Sequence, residues 1–198
     1  VVATPGCYPT ATLLGLFPLL QCDAIEAGVP IIVDAKCGVT GAGRKPSLKT
    51  HFAEVYGNFS PYNTGRTHRH IAEIEQEVQK INSKAGQIIF SPHLLPVDRG
   101  LMSSIYVTLN ESITSDKVHD LYCSIYDKEP LVDVLPLGEY ATLKHVVKTN
   151  RGVISITPVL DNLVHITSTI DNLRKGTSGQ GTQNMNLMFG LPETMGLL

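Results

Sequence analysis

The sequence predicts an α+β fold: a mixed, largely antiparallel sheet with helices packed on one face. Three observations carry this expectation. Residues 153–160 and 163–170 are β-branched, apolar runs separated only by Asp161-Asn162, the spacing of a two-residue hairpin. Apolar residues recur at helical spacing in 70–85 (Ile71, Ile74, Val78, Ile81) and in 115–127 (Val118, Leu121, Tyr122, Ile125). Shorter runs at 31–37, 88–95 and 102–110 have strand composition, and the first two end at glycine or proline. At 198 residues, the chain is long enough to bury a substantial core as one domain spanning 1–198.

Taken in order, Val1-Val2-Ala3 reads as the end of a strand, Thr4-Pro5-Gly6 as a turn and Pro9-Thr10 as a first helical turn, where a missing N–H is tolerated. Pro18 is expected to bend or end that helix. Residues 38–67 show no period and many Gly, Ser, Asn and Pro, as in a functional loop or an interface segment. Within them, Gly38-Val39-Thr40-Gly41-Ala42-Gly43 reads as a flexible loop or a phosphate cradle, and Pro46 argues against a helix directly after it. The helix at 70–85 stops at Gly86, and Pro96 to Gly100 is a turn between two strands. Ser115 is a candidate N-cap, 131–135 a short strand and 141–148 another. Pro158 weakens strand pairing locally or marks an edge. The tail, 172–183, is a Gly/Ser/Thr-rich stretch before a final helix over 184–189, with Ser178 or Thr182 as its cap. Composition reads it as a linker; the alternative is an anion-facing loop at a helix N-terminus.

A net charge of −2 and a charged fraction of 17% leave no basic field for nucleic acid or an anionic membrane. No run of eighteen apolar residues exists to span a bilayer, and the opening residues lack the pattern of a secretory signal, so a cytoplasmic protein is expected. Cys7, Cys22, Cys37 and Cys123 form no C-x-x-C pair, so no metal site is expected and reduced thiols are favoured over disulfides.

Cys7 is the residue with the clearest chemical potential. A thiol just before or within a first helical turn meets unpaired N–H groups and the positive end of the helix dipole, which favour thiolate. On spacing alone it is equally a buried structural cysteine. His68 and His70 sit just before the second helix or in its first turn, where cationic imidazole is disfavoured and the neutral, proton-accepting form is promoted; the alternative is a solvated or capping role. Arg99 is either a solvated loop charge or a bidentate ligand for carboxylate or phosphate. His93, flanked by apolar residues, reads as a satisfied core histidine.

Pro5-Gly6-Cys7-Tyr8-Pro9-Thr10-Ala11 resembles the nucleophile motif of the N-acetyl-gamma-glutamyl-phosphate reductase family, related to aspartate-semialdehyde dehydrogenase. Three later stretches resemble the same family in the same order: His68-Arg69-His70-Ile71-Ala72-Glu73-Ile74, Pro92-His93-Leu94-Leu95-Pro96-Val97-Asp98-Arg99-Gly100, and Asp171-Asn172-Leu173-Arg174-Lys175-Gly176-Thr177-Ser178-Gly179-Gln180. The resemblance implies a fold like the C-terminal domain of glyceraldehyde-3-phosphate dehydrogenase. It also implies a Rossmann domain ahead of Val1, so the chain reads as the catalytic and dimerisation half of a larger, homo-oligomeric enzyme. Residues 172–198 would pack on that missing domain.

The implied activity is NADPH-dependent reduction of N-acetyl-gamma-glutamyl phosphate to the semialdehyde in arginine biosynthesis, through a thioester on Cys7. His70, or else His68, would be the acid and base. Arg69 and Arg99 would bind substrate, and Lys175, Ser178, Gly179 and Asn184 would bind NADP(H). Three alternatives stay open at this level: a nucleotide-independent cysteine acyltransferase or hydrolase, a non-catalytic module, and a reductase of the longer aminoadipyl phosphate.

Overall fold

A computed structural model describes residues 2–198; Val1, assigned above to a strand end, lies outside the described residues. Seven strands form one sheet: β1 (Ile31–Gly38), β2 (Ser60–Pro61), β3 (Ile88–Leu95), β4 (Leu101–Thr108), β5 (Val132–Val134), β6 (Gly152–Leu160) and β7 (Leu163–Ile170). Their order is β2-β3-β1-β4-β7-β6-β5. The β1–β3 and β5–β6 pairs are parallel and the other four antiparallel, the mixed sheet expected. The hairpin at Asp161-Asn162 forms as its spacing demands, with a register irregularity between Pro158 and Leu160. β5 pairs with β6 only as far as Ile154, so the proline sits where β6 has a free edge.

Strand register explains the core. Phe90, Val33, Ile105, Ile166 and Ile156 are successive partners across five strands, and all are buried. The helices α1 (Cys7–Gln21), α3 (His70–Ile81) and α4 (Val118–Tyr126) supply the rest of this core. The neighbouring row of partners, Ile89, Ile32 and Tyr106, points to the opposite face and is 48%, 42% and 38% exposed. Two further helices are single turns, α2 (Phe52–Val55) and α5 (Leu143–Val146), and α6 (Gly179–Met188) closes the chain. Among the described residues no helix is long and apolar enough to cross a membrane.

Several local expectations are corrected. Residues 2–6 pair with no strand and lead into α1 as irregular chain. α1 runs through Pro18 to Gln21. The proline leaves the Leu14 carbonyl without its helical donor, and the Tyr126 hydroxyl supplies one at 2.6 Å. The Tyr122 hydroxyl donates to the next carbonyl, that of Gly15. α3 ends at Ile81, short of Gly86, because Asn82 leaves the helical conformation, donates to Asp23 and accepts the Lys84 N–H.

β3 and β4 are not neighbours, although only 96–100 joins them. That segment crosses the end of β1, where the carbonyls of Gly100 and Val97 accept from Gly38 and Val39. Within 141–148, where a strand is expected, Leu143–Val146 form α5, because Thr142 and His145 make a capping box. The segment leading into α5 lies on the far side of the sheet from α1: Ala141 donates to Ser155, and Ala141 and Val146 pack with Val153. The helices are therefore on one face except at this edge.

The final helix starts earlier than composition suggests. A π-helical turn at Arg174–Ser178 runs straight into α6, so neither Ser178 nor Thr182 caps a helix start; their hydroxyls donate back to the carbonyls of Leu173 and Ser178. Asp171 accepts the N–H groups of Leu173 and Arg174 instead, which fills the helix start with a carboxylate and leaves no anion-facing terminus there. Ser115, likewise, makes no side-chain cap and begins a short 3-10 turn before α4.

Candidate active site

Two helix starts converge on Cys7. Cys7 is the first residue of α1, with Gly6 at the N-cap. The Gly6 backbone is ordinary and extended, so the turn does not need glycine for its conformation. Glycine is needed because a Cβ there would lie 2.6 Å from His70 Nε2. His70 is the first residue of α3, and Glu73, in the same first turn, accepts the Gly6 N–H at 3.1 Å. The turn carrying the thiol is thus clamped to the helix carrying the imidazole. On its other side, a Cβ on Gly176 would lie 2.7 Å from Cys7 Cβ, so the π-helical turn packs backbone against the cysteine.

Electrostatics favour a Cys7 thiolate. The Cys37 thiol, at the end of β1, donates to the Cys7 sulfur and lowers its pKa most; burial opposes this, and the N–H groups of Tyr8 and Cys7 and the charge of Arg69 act in the same direction as Cys37. The Cys37 thiol is pushed upward by the same hydrogen bond, by burial and by the charges of Cys7 and Asp171. One sulfur of the pair is poised as the anion and the other as its donor.

Both histidines are neutral near pH 7. Burial holds His68 down to about 4, with help from His70 and Arg69. Burial and then Arg69 hold His70 down to about 4. The neutral form is the one expected from the sequence, but burial dominates. His68 Nδ1 accepts the His70 backbone N–H at 3.2 Å, and its ring packs edge-on against Tyr8, Tyr62 and Phe90. It is a buried wedge, whereas His70 touches the turn bearing the thiol. The Tyr62 hydroxyl donates to Tyr8, and Tyr8 in turn to the His93 carbonyl.

Cys7, Cys37, His68, Arg69, His70 and Tyr62 line a cavity of about 500 Å³, walled on the far side by the irregular segment 38–63. Among the described residues no carboxylate pairs with Arg69. Arg99 is not brought into this cavity: it faces the fully buried Asp171 at 3.7 Å, next to the loop packed on the end of β1. The glycine run 38–43 is a 3-10 turn packed on that loop, with the Thr40 hydroxyl donating to Asp98 and accepting from Asn172. His93 is satisfied as expected, but by Ser91, Ala35 and Asp34 on the helix-free face and not within the core.

Lys175 and Asn184 line a second groove of about 710 Å³, beside Thr10 and Leu14 of α1. The Lys175 ammonium is buried and donates to the neutral Gln183 amide at 2.7 Å. Ser178 is exposed and Gly179 is buried against Asn150, so neither lies in the groove.

Sequence reasoning gave Cys37, Tyr8, Tyr62 and Glu73 no role in the site. Glu73 was legible in principle, one helical turn after His70 in the same motif. Cys37 and the tyrosines become site residues only through pairing and packing.

Fold and site together define a domain of a mixed sheet with a cysteine at one helix start and a neutral histidine at another. A family model for the semialdehyde dehydrogenase dimerisation domain matches residues 7–172, and the chain belongs to that family. It is 47% identical over 199 residues to an N-acetyl-gamma-glutamyl-phosphate reductase of Desulforudis audaxviator and 46% identical over 200 residues to that of Bacillus subtilis. Each alignment covers all of this chain and 57% of the relative, so the chain spans a little over half their length. Among solved structures it resembles aspartate semialdehyde dehydrogenase II of Vibrio cholerae, with a TM-score of 0.75, 16% identity, and coverage of 96% of this chain and 62% of that one. That likeness supports the fold.

Proposed function

We propose that the chain is the catalytic and dimerisation part of an NADPH-dependent N-acetyl-gamma-glutamyl-phosphate reductase of arginine biosynthesis. The observation that carries this reading is Cys7 at the first position of α1, its pKa lowered chiefly by Cys37, in a cavity that also holds neutral His70 and Arg69, which no carboxylate pairs among the described residues. The names of the relatives supply the substrate.

Cys7 thiolate attacks the acyl carbon. The C–S bond forms, the bond from carbon to the phosphate oxygen breaks, phosphate leaves with that electron pair, and a thioester remains on Cys7. Arg69 offers its guanidinium to the phosphate or carboxylate of the substrate. The amides at the start of α1 stabilise negative charge on the carbonyl oxygen. His70, neutral and against the Cys7 turn, exchanges a proton at that oxygen, and its Nδ1 is buried without a partner in the structure. His68 supports His70 through its ring and its hydrogen bond with the His70 amide. Arg99, bound to Asp171, acts on the loop and not on substrate.

When bound, NADPH supplies the hydride that converts the thioester to the aldehyde and frees the thiol. Lys175 is the cation offered to a phosphate-bearing ligand: its bonded partner is the neutral Gln183 amide, burial lowers its pKa while Glu193 and Glu129 raise it, and Asn184 lies in the same groove. Met185, Leu187, Met188 and Phe189 at the end of α6 are exposed, which suits residues 172–198 to packing on a nucleotide-binding domain.

The test is phosphate-dependent oxidation of N-acetylglutamate semialdehyde with NADP, comparing this chain with one extended upstream to the length of its relatives. Activity in the extended chain, lost in Cys7→Ala, is expected. No activity in either would overturn the reductase reading and favour a nucleotide-free thiol enzyme.

A further inference from the structure

Two thiols share the cavity, and acyl transfer uses one. Cys7 stands at the start of α1 and Cys37 at the penultimate position of β1, and both line the same cavity. Cys7 is partly exposed, and Cys37 is 2% exposed. Each is packed against a glycine. Gly176 packs on Cys7, and a Cβ on Gly41 would come within 2.6 Å of the Cys37 sulfur. The other two cysteines are placed differently: Cys22 is exposed past the far end of α1, and Cys123 lies on α4 beside His119.

We propose that Cys7 and Cys37 form a reversible dithiol–disulfide pair that protects the nucleophile from peroxide and switches acylation off while it is oxidised. Cys7 thiolate attacks one oxygen of hydrogen peroxide, the O–O bond breaks, hydroxide leaves, and Cys7 becomes the sulfenic acid. The Cys37 sulfur then attacks the sulfenic sulfur and loses its proton. The S–O bond breaks, water leaves, and the disulfide remains. Peroxide is thereby reduced by two electrons and the two thiols are oxidised by two. A dithiol reductant reverses the step by exchange at the accessible Cys7 sulfur. The arrangement suits this chemistry because a thiolate that shares its cavity with a second thiol is captured as disulfide before a second peroxide oxidises it to sulfinic acid.

Loss of acylation rests on the reductase reading; formation of the disulfide does not. The experiment is therefore peptide mapping of the chain after mild hydrogen peroxide, with and without dithiothreitol, for the wild type, Cys37→Ser and Cys37→Ala. A Cys7–Cys37 crosslinked peptide in the wild type, removed by dithiothreitol, is expected, with Cys22 and Cys123 outside it. Both variants should instead accumulate sulfinic acid at Cys7, with at least a tenfold smaller fraction recovered as thiol. Sulfinic acid at Cys7 in the wild type without the crosslink, or equal recovery in wild type and variants, would overturn the proposal. The wild-type map needs no variant, so a folding defect in either substitution does not obscure the answer.

Discussion

At the scale of single residues, the site is decided by what presses on Cys7 and on the two histidines. The Cys37 hydrogen bond is the largest influence lowering the Cys7 pKa, so alkylation by iodoacetamide should show a midpoint below the ordinary thiol value of about 8.5. Cys37→Ala should move that midpoint upward, and an unchanged pH profile would contradict the assignment. Gly6→Ala places a methyl against His70; overpacking of this kind costs about 1–3 kcal/mol, and here it must also displace the imidazole. Loss of at least tenfold in acylation with α-helical circular dichroism intact is expected. His68 and His70 have depressed folded-state pKa values, so unfolded chains bind more protons between their folded value of about 4 and an unfolded value of about 6.5. Stability contributed by these groups is complete above about pH 6.5 and is lost as pH falls toward 4. Thermal midpoints should drop over that window, and less steeply in His68→Gln. Cys7 was legible because its turn and helix start are local signals, and four ordered motifs reinforced them. Cys37 was not: a cysteine at a strand end carries no local pattern, and its partner arrives only when β1 packs beside the start of α1.

At the scale of elements, α1 carries the thiol and tolerates a proline that should have broken it. Tyr126 restores the donor that Pro18 removes, from a helix far along the chain. Tyr126→Phe should cost about 1 kcal/mol in urea unfolding, and less in a Pro18→Ala background, where a helical N–H becomes available to Leu14. Equal costs in both backgrounds would contradict the pairing. Of the two outcomes expected at Pro18, a bend or an end, the helix does not end there, because proline's penalty is local while its relief is tertiary. The hairpin of β6 and β7 was legible from its two-residue spacing, and α3 from its periodicity. The interposed β1 was not, because no local signal distinguishes a turn that closes a hairpin from a segment that crosses a third strand. α5 was misread for a related reason, as apolar composition over a short segment does not reveal a capping box that folds it into one turn.

At the scale of the whole molecule, the sheet has one face filled by helices and another that exposes Ile32, Ile89 and Tyr106. A contiguous apolar face on a domain of a dimerisation family is expected to be covered by a second copy. Sedimentation at micromolar concentration should give the mass of two chains, and Ile89→Asp should give one; a single-chain mass for the unaltered protein would contradict this. In the proposed mechanism every residue assigned to acylation of Cys7 lies in this chain, whereas the reduction step draws on the cofactor. The most direct test of the account is therefore mass spectrometry of the chain mixed with freshly prepared N-acetyl-gamma-glutamyl phosphate, without nucleotide. One N-acetylglutamyl group, released by hydroxylamine, mapped to Cys7 and absent from Cys7→Ala, is the predicted result. A folded chain that releases no phosphate and carries no acyl group on Cys7 would contradict it.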